Sequence, residues 1–178
     1  GELDFTAPNL LLSINRFDGT VQFTKTGGYD NVSTGDNLFS GDASFTNSST
    51  TGHLLLTGSR EDRFLGTAQF TSGSTKIIAG YGATTIFEGD VVVNASTVGF
   101  YRLKFTGEAE QTLSGTVLHR YSEAELDKKS GLVTTAIPVE IDRRMTFTKG
   151  YLVTDSVNLI TFLAGANATG ASDASFVS

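Results

Sequence analysis

The sequence predicts an all-β protein, namely a single antiparallel β-barrel, closed or nearly closed, of about 10–12 short strands. Three observations favour this fold. The 178-residue chain contains 20 Gly and 13 Phe and is rich in Ser and Thr, a composition typical of strands and turns. A phrase of eight residues recurs along residues 1–112, with apolar or small residues at every second position. Each copy has a Gly near its centre, where a strongly curved sheet needs a residue without a side chain.

The repeated phrase predicts the strands in the first part of the chain. In the copy FLGTAQFT, the residues Phe64, Gly66, Ala68 and Phe70 alternate with mostly polar ones. A period of two is the signature of a strand with one buried face. The copies are spaced by 22, 25, 23 and 18 residues and begin at Phe17, Phe39, Phe64, Phe87 and Phe105. Turn residues and a second strand lie between copies, so each repeat is expected to be a strand pair.

The two ends of the chain follow other patterns. Segments 2–7 and 9–15 alternate apolar and polar residues and predict two further strands. The repeat fades after residue 112. Ser122 and Glu125 then match a capping box, which predicts one short helix near 122–129.

Strands are expected again after this helix, and a flexible tail follows them. The three expected strands occupy 132–142, 144–149 and 151–163. We therefore predict one β domain over residues 1–178. Strand-pair repeats fill 1–112, and non-repeating strands, the short helix and the C-terminal tail fill 113–178.

Two other architectures compete with the barrel. A two-sheet β-sandwich is the alternative, because it also accommodates many short alternating strands. A β-solenoid ranks third. The interval between copies suits one solenoid turn, but five irregular copies followed by a non-repeating segment suit it poorly.

Part of the repeat region resembles a known family. The segments 70–74 (FTSGS), 80–82 (GYG) and 87–89 (FEG) are similar to the Gly-rich strand pairs of allene-oxide-cyclase-like and dirigent-like barrels. This resemblance implies a curved barrel. It implies no activity, because the acidic and basic residues of that family have no counterparts that can be placed here.

Composition excludes several functional classes. The net charge of −6 and the pI near 4.8 disfavour nucleic acid, which requires a clustered basic surface. No stretch approaches ~18 apolar residues, so no transmembrane helix is expected. The chain has no Cys and lacks the motifs of phosphate-binding loops, dinucleotide-binding folds and serine-hydrolase elbows. We therefore expect no enzyme, no cofactor and no metal site.

Two groups of polar residues remain as candidate sites. If the barrel has an open mouth, five residues can line it as a polar cluster; otherwise they lie on the outer face of the strands. The cluster comprises His119, Arg120, Tyr121, Glu140 and Arg143. Four sequons for N-glycosylation are also present, and their acceptors are Asn31, Asn47, Asn94 and Asn167.

These observations favour a non-enzymatic, secreted or cell-surface protein with a structural or adhesive role. Because segments 2–7 and 9–15 are apolar on alternate residues, a terminal strand can complete a neighbour's sheet and produce a homo-oligomer or filament. The alternative is a calycin-like or allene-oxide-cyclase-like barrel that binds a small apolar ligand against its Phe-rich inner face.

Overall fold

The chain folds as a parallel β-solenoid of about 8 turns. The computed structural model describes residues 1–94 and 97–178, and this part of the chain contains nineteen strands and no helix. Every pairing between these strands is parallel, with neighbours contributed by successive turns. The predicted antiparallel barrel is therefore wrong, and so is the two-sheet sandwich. None of the described residues forms a helix that is long and apolar enough to cross a membrane.

The strands stack into three parallel ladders, which we call faces A, B and C in the order in which each turn visits them. Face A contains β1 (Glu2–Ala7), β3 (Thr20–Lys25), β6 (Ala43–Asn47), β9 (Ala68–Ser72), β12 (Val91–Val93), β14 (Gln111–Gly115) and β19 (Ser175–Val177). Face B contains β4 (Asn31–Val32), β7 (Leu54–Leu55), β10 (Ile77–Ala79) and β17 (Ile160–Phe162). Face C contains β2 (Arg16–Phe17), β5 (Leu38–Phe39), β8 (Asp62–Phe64), β11 (Thr85–Phe87) and β18 (Asn167–Thr169).

Three long strands bend from one face to the next. β13 (Val98–Phe105) contributes to faces B and C, whereas β15 (His119–Thr135) and β16 (Val139–Val153) each cross all three faces. Register shifts interrupt the pairing of β15 with β16 at the corners. Residues 113–178 thus continue the solenoid, although the repeated phrase is absent from them.

The repeated phrase marks the corner between faces C and A. In FLGTAQFT, Phe64 ends β8 and Ala68 begins β9, so the phrase holds two short strands and a bend rather than one strand. Gly66 lies at this bend beneath Gly41 of the preceding turn. A Cβ atom at Gly66 would lie 2.7 Å from the carbonyl carbon of Gly41, closer than side-chain atoms can approach. The central Gly is therefore required by contact between turns.

Stacked aromatic rings fill the interior. On face C, the ring centroids of Phe39 and Phe64 are 4.5 Å apart, and those of Phe64 and Phe87 are 5.3 Å apart. Phe45 and Phe70 form a similar stack on face A, with centroids 5.7 Å apart. The Phe-rich inner face packs against itself, so an interior pocket for a small apolar ligand finds no support in the described residues. Such stacks contribute both buried area and ring–ring attraction.

The predicted short helix at 122–129 is wrong, because these residues belong to β15. Ala124 and Leu126 point into the core, whereas Glu123 and Glu125 lie outside it. The segment pairs with both neighbouring turns. Its alternation therefore outweighs the local capping-box signal, since each turn of the solenoid supplies ladder partners on two sides.

Candidate functional site

His119 and Tyr121 of the predicted polar cluster lie in the core. Both side chains are buried, and Nδ1 of His119 is 2.6 Å from the Tyr121 hydroxyl. Nε2 of His119 is 3.0 Å from the carbonyl oxygen of Ser114. Burial lowers the pKa of His119 from 6.5 to about 4 and raises the pKa of Tyr121 well above its usual value. Both groups are therefore neutral structural residues at pH 7.

The other three members of the cluster lie outside the core and do not form one group. Arg120 donates from Nε to Oε2 of Glu140 at 2.9 Å on face B. Arg143 lies at the following corner, where its Nη1 is 3.4 Å from Oε1 of Glu123. Because the fold is not a barrel, there is no barrel mouth to gather these residues, and inward-facing and outward-facing positions separate them.

The four predicted sequons lie in different environments. Asn31 and Asn47 are buried, where Asn31 accepts from the Leu10 amide and Asn47 donates to the Gly52 carbonyl, each at 3.0 Å. A glycan on either residue would require its side chain to leave the core. Asn167 is exposed in β18, and Asn94 is half-buried. The sequon of Asn94 continues into residues 95–96, which lie outside the described residues. Use of Asn94 and Asn167 stays a prediction.

Two buried charged side chains join neighbouring turns. Asp62 accepts from the Asn37 amide at 2.9 Å and from the Thr57 hydroxyl at 2.8 Å. Burial raises the pKa of Asp62, although these hydrogen bonds oppose the rise. Lys128 is the second of these side chains. Within residues 1–94 and 97–178, no group of three or more His, Asp or Glu side chains is arranged to hold a metal ion.

Lys128 closes the corner between faces C and A. Its Nζ donates to the carbonyl oxygens of Thr106 at 3.0 Å and Ala109 at 2.6 Å, and to Oε1 of Gln111 at 2.8 Å. Burial lowers the pKa of Lys128. Because all three acceptors belong to the preceding turn, this ammonium group acts as a link between turns.

The N-terminal turn leaves part of the core uncovered. Among the described strands, β1 pairs with β3 alone, so its outer edge has no ladder partner. Leu3 and Phe5 occupy the inward positions of β1, in register with Val21 and Phe23, yet they are 43% and 46% exposed. Together with neighbouring apolar side chains they border a depression of about 400 Å³ at this end.

The C-terminal turn is uncovered in the same way. β17, β18 and β19 pair with β16 and with no other described strand. Phe162 is in register with the buried Ile141 and is 37% exposed, and Val177 is in register with the buried Leu152. Within residues 1–94 and 97–178, β1 and the strands β17, β18 and β19 therefore each leave one parallel edge unpaired, with apolar side chains at core positions.

These two end surfaces form the candidate functional site. The alternation of segment 2–7 indicated the N-terminal edge from the sequence. The sequence does not single out Phe162 and Val177, because their exposure depends on which strands pair with β17 and β19. No protein-family model, curated protein or solved structure matches this chain.

Proposed function

We propose that this chain is a non-enzymatic structural or adhesive element, secreted or exposed on a cell surface, which associates end to end. The observation that carries the proposal is that β1 and the strands β17, β18 and β19 each leave one parallel edge without a partner among residues 1–94 and 97–178. With a spacing of about 4.8 Å between strands, about 8 turns give a rod of about 38 Å. Because the two ends differ, their contact is head-to-tail and leads to an open filament rather than a closed dimer.

The geometry of the edges supports this mode of association. An unpaired strand edge attracts another strand, and here both free edges run in the direction of the existing ladders. If β1 of one copy follows β19 of another, the parallel ladder continues across the junction. Phe5 and Leu3 then cover core positions of the neighbouring turn, as they would in an interior turn.

Charge at the ends predicts a salt dependence. The N-terminal turn carries Glu2 and Asp4 on β1, and the C-terminal turn carries Asp155 and Asp173. These carboxylates repel one another across the junction, and dissolved salt screens that repulsion within about 10 Å at 0.1 M. We expect association to strengthen as NaCl rises from about 0.02 to 0.5 M, because apolar contacts are not weakened by screening.

Sedimentation velocity of two end variants tests the proposal. Phe5→Lys places a charge on the N-terminal end, and Phe162→Lys places one on the C-terminal end. Each variant alone is expected to be monomeric under conditions in which the wild type forms a series of oligomers. An equimolar mixture is expected to form dimers and nothing larger, because each variant retains one intact end.

A matched control is Leu65→Lys, which introduces the same charge at a residue 38% exposed in the middle of the rod. It is expected to associate like the wild type. A wild-type protein that remains strictly monomeric at high concentration and high salt would overturn the proposal. A Phe162→Lys protein that still dimerises would show contact between two N-terminal ends instead.

A further inference from the structure

A groove crosses the outer surface of face B at Gly99. The outward positions of this face carry Ile78 before Gly99 and Arg120 after it, so the missing side chain leaves a gap in the row. A Cβ atom at Gly99 would meet only Ile78 Cγ1, at 3.8 Å, and the φ angle is not in the left-handed region. Neither crowding nor backbone conformation requires Gly here. The groove above it has a volume of about 550 Å³.

The walls of the groove are largely apolar. Val98 and Val117 form one end with Leu118, which is 45% exposed. Tyr101 stands at the opposite end and is 43% exposed. Tyr81 of the preceding turn extends this aromatic surface, with its ring centroid 6.5 Å from that of Tyr101. Two neighbouring exposed rings offer flat surfaces to a ligand with an apolar side.

The side of the groove formed by the following turns is polar. Arg120 and Asp142 border it, and Nε of Arg120 is 3.8 Å from Oδ1 of Asp142. Oε2 of Glu140 accepts a hydrogen bond from Nε of Arg120 at 2.9 Å. A guanidinium group carries five N–H donors, so Arg120 retains donors beyond those that bind Glu140. Two carboxylates accompany one cation, and this excess disfavours an anionic ligand.

The backbone at the groove is already paired, which excludes recognition by strand addition. Gly99 pairs with Ile78, and Phe100 pairs with Ala79 and Tyr121. A ligand must therefore be recognised by side chains, namely by aromatic rings, aliphatic groups and a fixed set of donors and acceptors. Sites for small ligands combine apolar walls with a few placed polar groups in this way.

We propose that this groove binds a neutral saccharide. An apolar ring face of the sugar packs on Tyr101, and its hydroxyl groups accept from Arg120 and donate to Asp142. Hydroxyl groups suit both partners because they donate and accept hydrogen bonds without carrying charge. This proposal is independent of end-to-end association, because the groove lies on the side of the rod and uses none of the residues at its ends.

Tyrosine fluorescence and calorimetry test the proposal directly. The chain contains 5 Tyr and no Trp, so emission reports on tyrosine alone. The probes are maltohexaose, cellohexaose and chitohexaose, with oligogalacturonate as the anionic comparison. We expect at least one neutral probe to bind at millimolar concentration or below and to change the emission, and we expect oligogalacturonate not to bind.

Two variants locate the binding. Gly99→Leu fills the groove and is expected to abolish binding. Gly73→Leu adds the same side chain outside the groove, where a Cβ atom meets only the Asn47 carbonyl oxygen at 4.0 Å, and is expected to leave binding unchanged. Tyr101→Ala removes an exposed ring and is expected to weaken binding at least tenfold, so the test survives if Gly99→Leu does not fold. Absence of binding by all three neutral probes would overturn the proposal. Equal affinity in the wild type and in folded Gly99→Leu and Tyr101→Ala proteins would also overturn it.

Discussion

Acid is expected to destabilise the solenoid through His119, and the variant His119→Gln isolates this effect. The imidazole is buried, and its two nitrogens lie within hydrogen-bond distance of Tyr121 and Ser114. Burial lowers its pKa from 6.5 to about 4, so the folded protein keeps the ring neutral. Gln is chosen because its amide can donate to the Ser114 carbonyl oxygen and does not titrate.

The sign and size of the effect follow from proton linkage. Well above pH 6.5 the ring is neutral in both the folded and the unfolded chain, so His119 adds no pH dependence there. Between pH 6.5 and about 4 the unfolded chain takes up a proton that the folded chain does not, which lowers the free energy of unfolding as pH falls. The fall in pKa corresponds to a total loss of about 3 kcal/mol at about pH 4.

Urea denaturation at several pH values between 7.5 and 4 measures this loss. The quantity of interest is the difference in the free energy of unfolding between wild type and His119→Gln. Other groups, including Asp62 with its raised pKa, titrate in both proteins and cancel in this difference. As the pH falls from 7.5 to 4, we expect the free energy of unfolding of the variant to rise by about 3 kcal/mol relative to that of the wild type. A difference that stays constant with pH would refute the reasoning.

Two further substitutions test the contacts between turns by thermal or urea denaturation. Gly66→Ala is expected to lower the free energy of unfolding by about 3 kcal/mol, because the new Cβ would lie 2.7 Å from the Gly41 carbonyl carbon. Gly99→Ala has room for its methyl group and should change the free energy of unfolding by less than about 0.5 kcal/mol. Equal effects at the two glycines would contradict the role of the corner. Lys128→Met is expected to lower the free energy of unfolding by about 2 kcal/mol, because it leaves buried acceptors without a donor. Lys129 is adjacent but exposed, and Lys129→Met should leave the free energy of unfolding unchanged. A stable Lys128→Met protein would show that the ammonium group is not needed as a link.

The sequence predicts the strands of this protein better than their arrangement. Alternation identified which residues of the phrase point inward, and Phe64, Ala68 and Phe70 are indeed buried. Alternation does not encode strand direction, so the same pattern suits an antiparallel barrel and a parallel solenoid equally well. The spacing between copies was the useful signal, because each spacing equals the length of one turn.

The later turns of the solenoid are hard to recognise in the sequence because their core residues differ from those of the earlier turns. In face C the Phe column continues as Leu126 and Phe147, each in register with the residue before it. Glycine still occurs at this corner, as Gly131 and Gly150 with positive φ, but it no longer stands two residues after the inward-facing residue of face C, as Gly66 does after Phe64. The eight-residue phrase is therefore recognisable only as far as residue 112, although the positions of the inward-facing residues persist.

The candidate sites depended on information that the sequence does not contain. The polar cluster was expected at a barrel mouth or on the outer strand face. A period of two places His119 and Tyr121 on the side opposite to Arg120, but which of these sides faces the core is known only once the turns are stacked. The predicted helix failed for a related reason. Glu123 contacts Arg102 and Arg144, one in each neighbouring turn, and these partners are known only once the turns are stacked.

The three ladders connect each turn only to the turn before it and the turn after it. A force applied to the two termini therefore acts on one end turn at a time, because the hydrogen bonds between turns lie along the direction of pulling. Releasing one turn uncovers the rings of the next and leaves the remainder folded. The chain would lengthen in successive steps of 18–25 residues. Under force the molecule therefore unfolds as a series of about 8 turns, one after another.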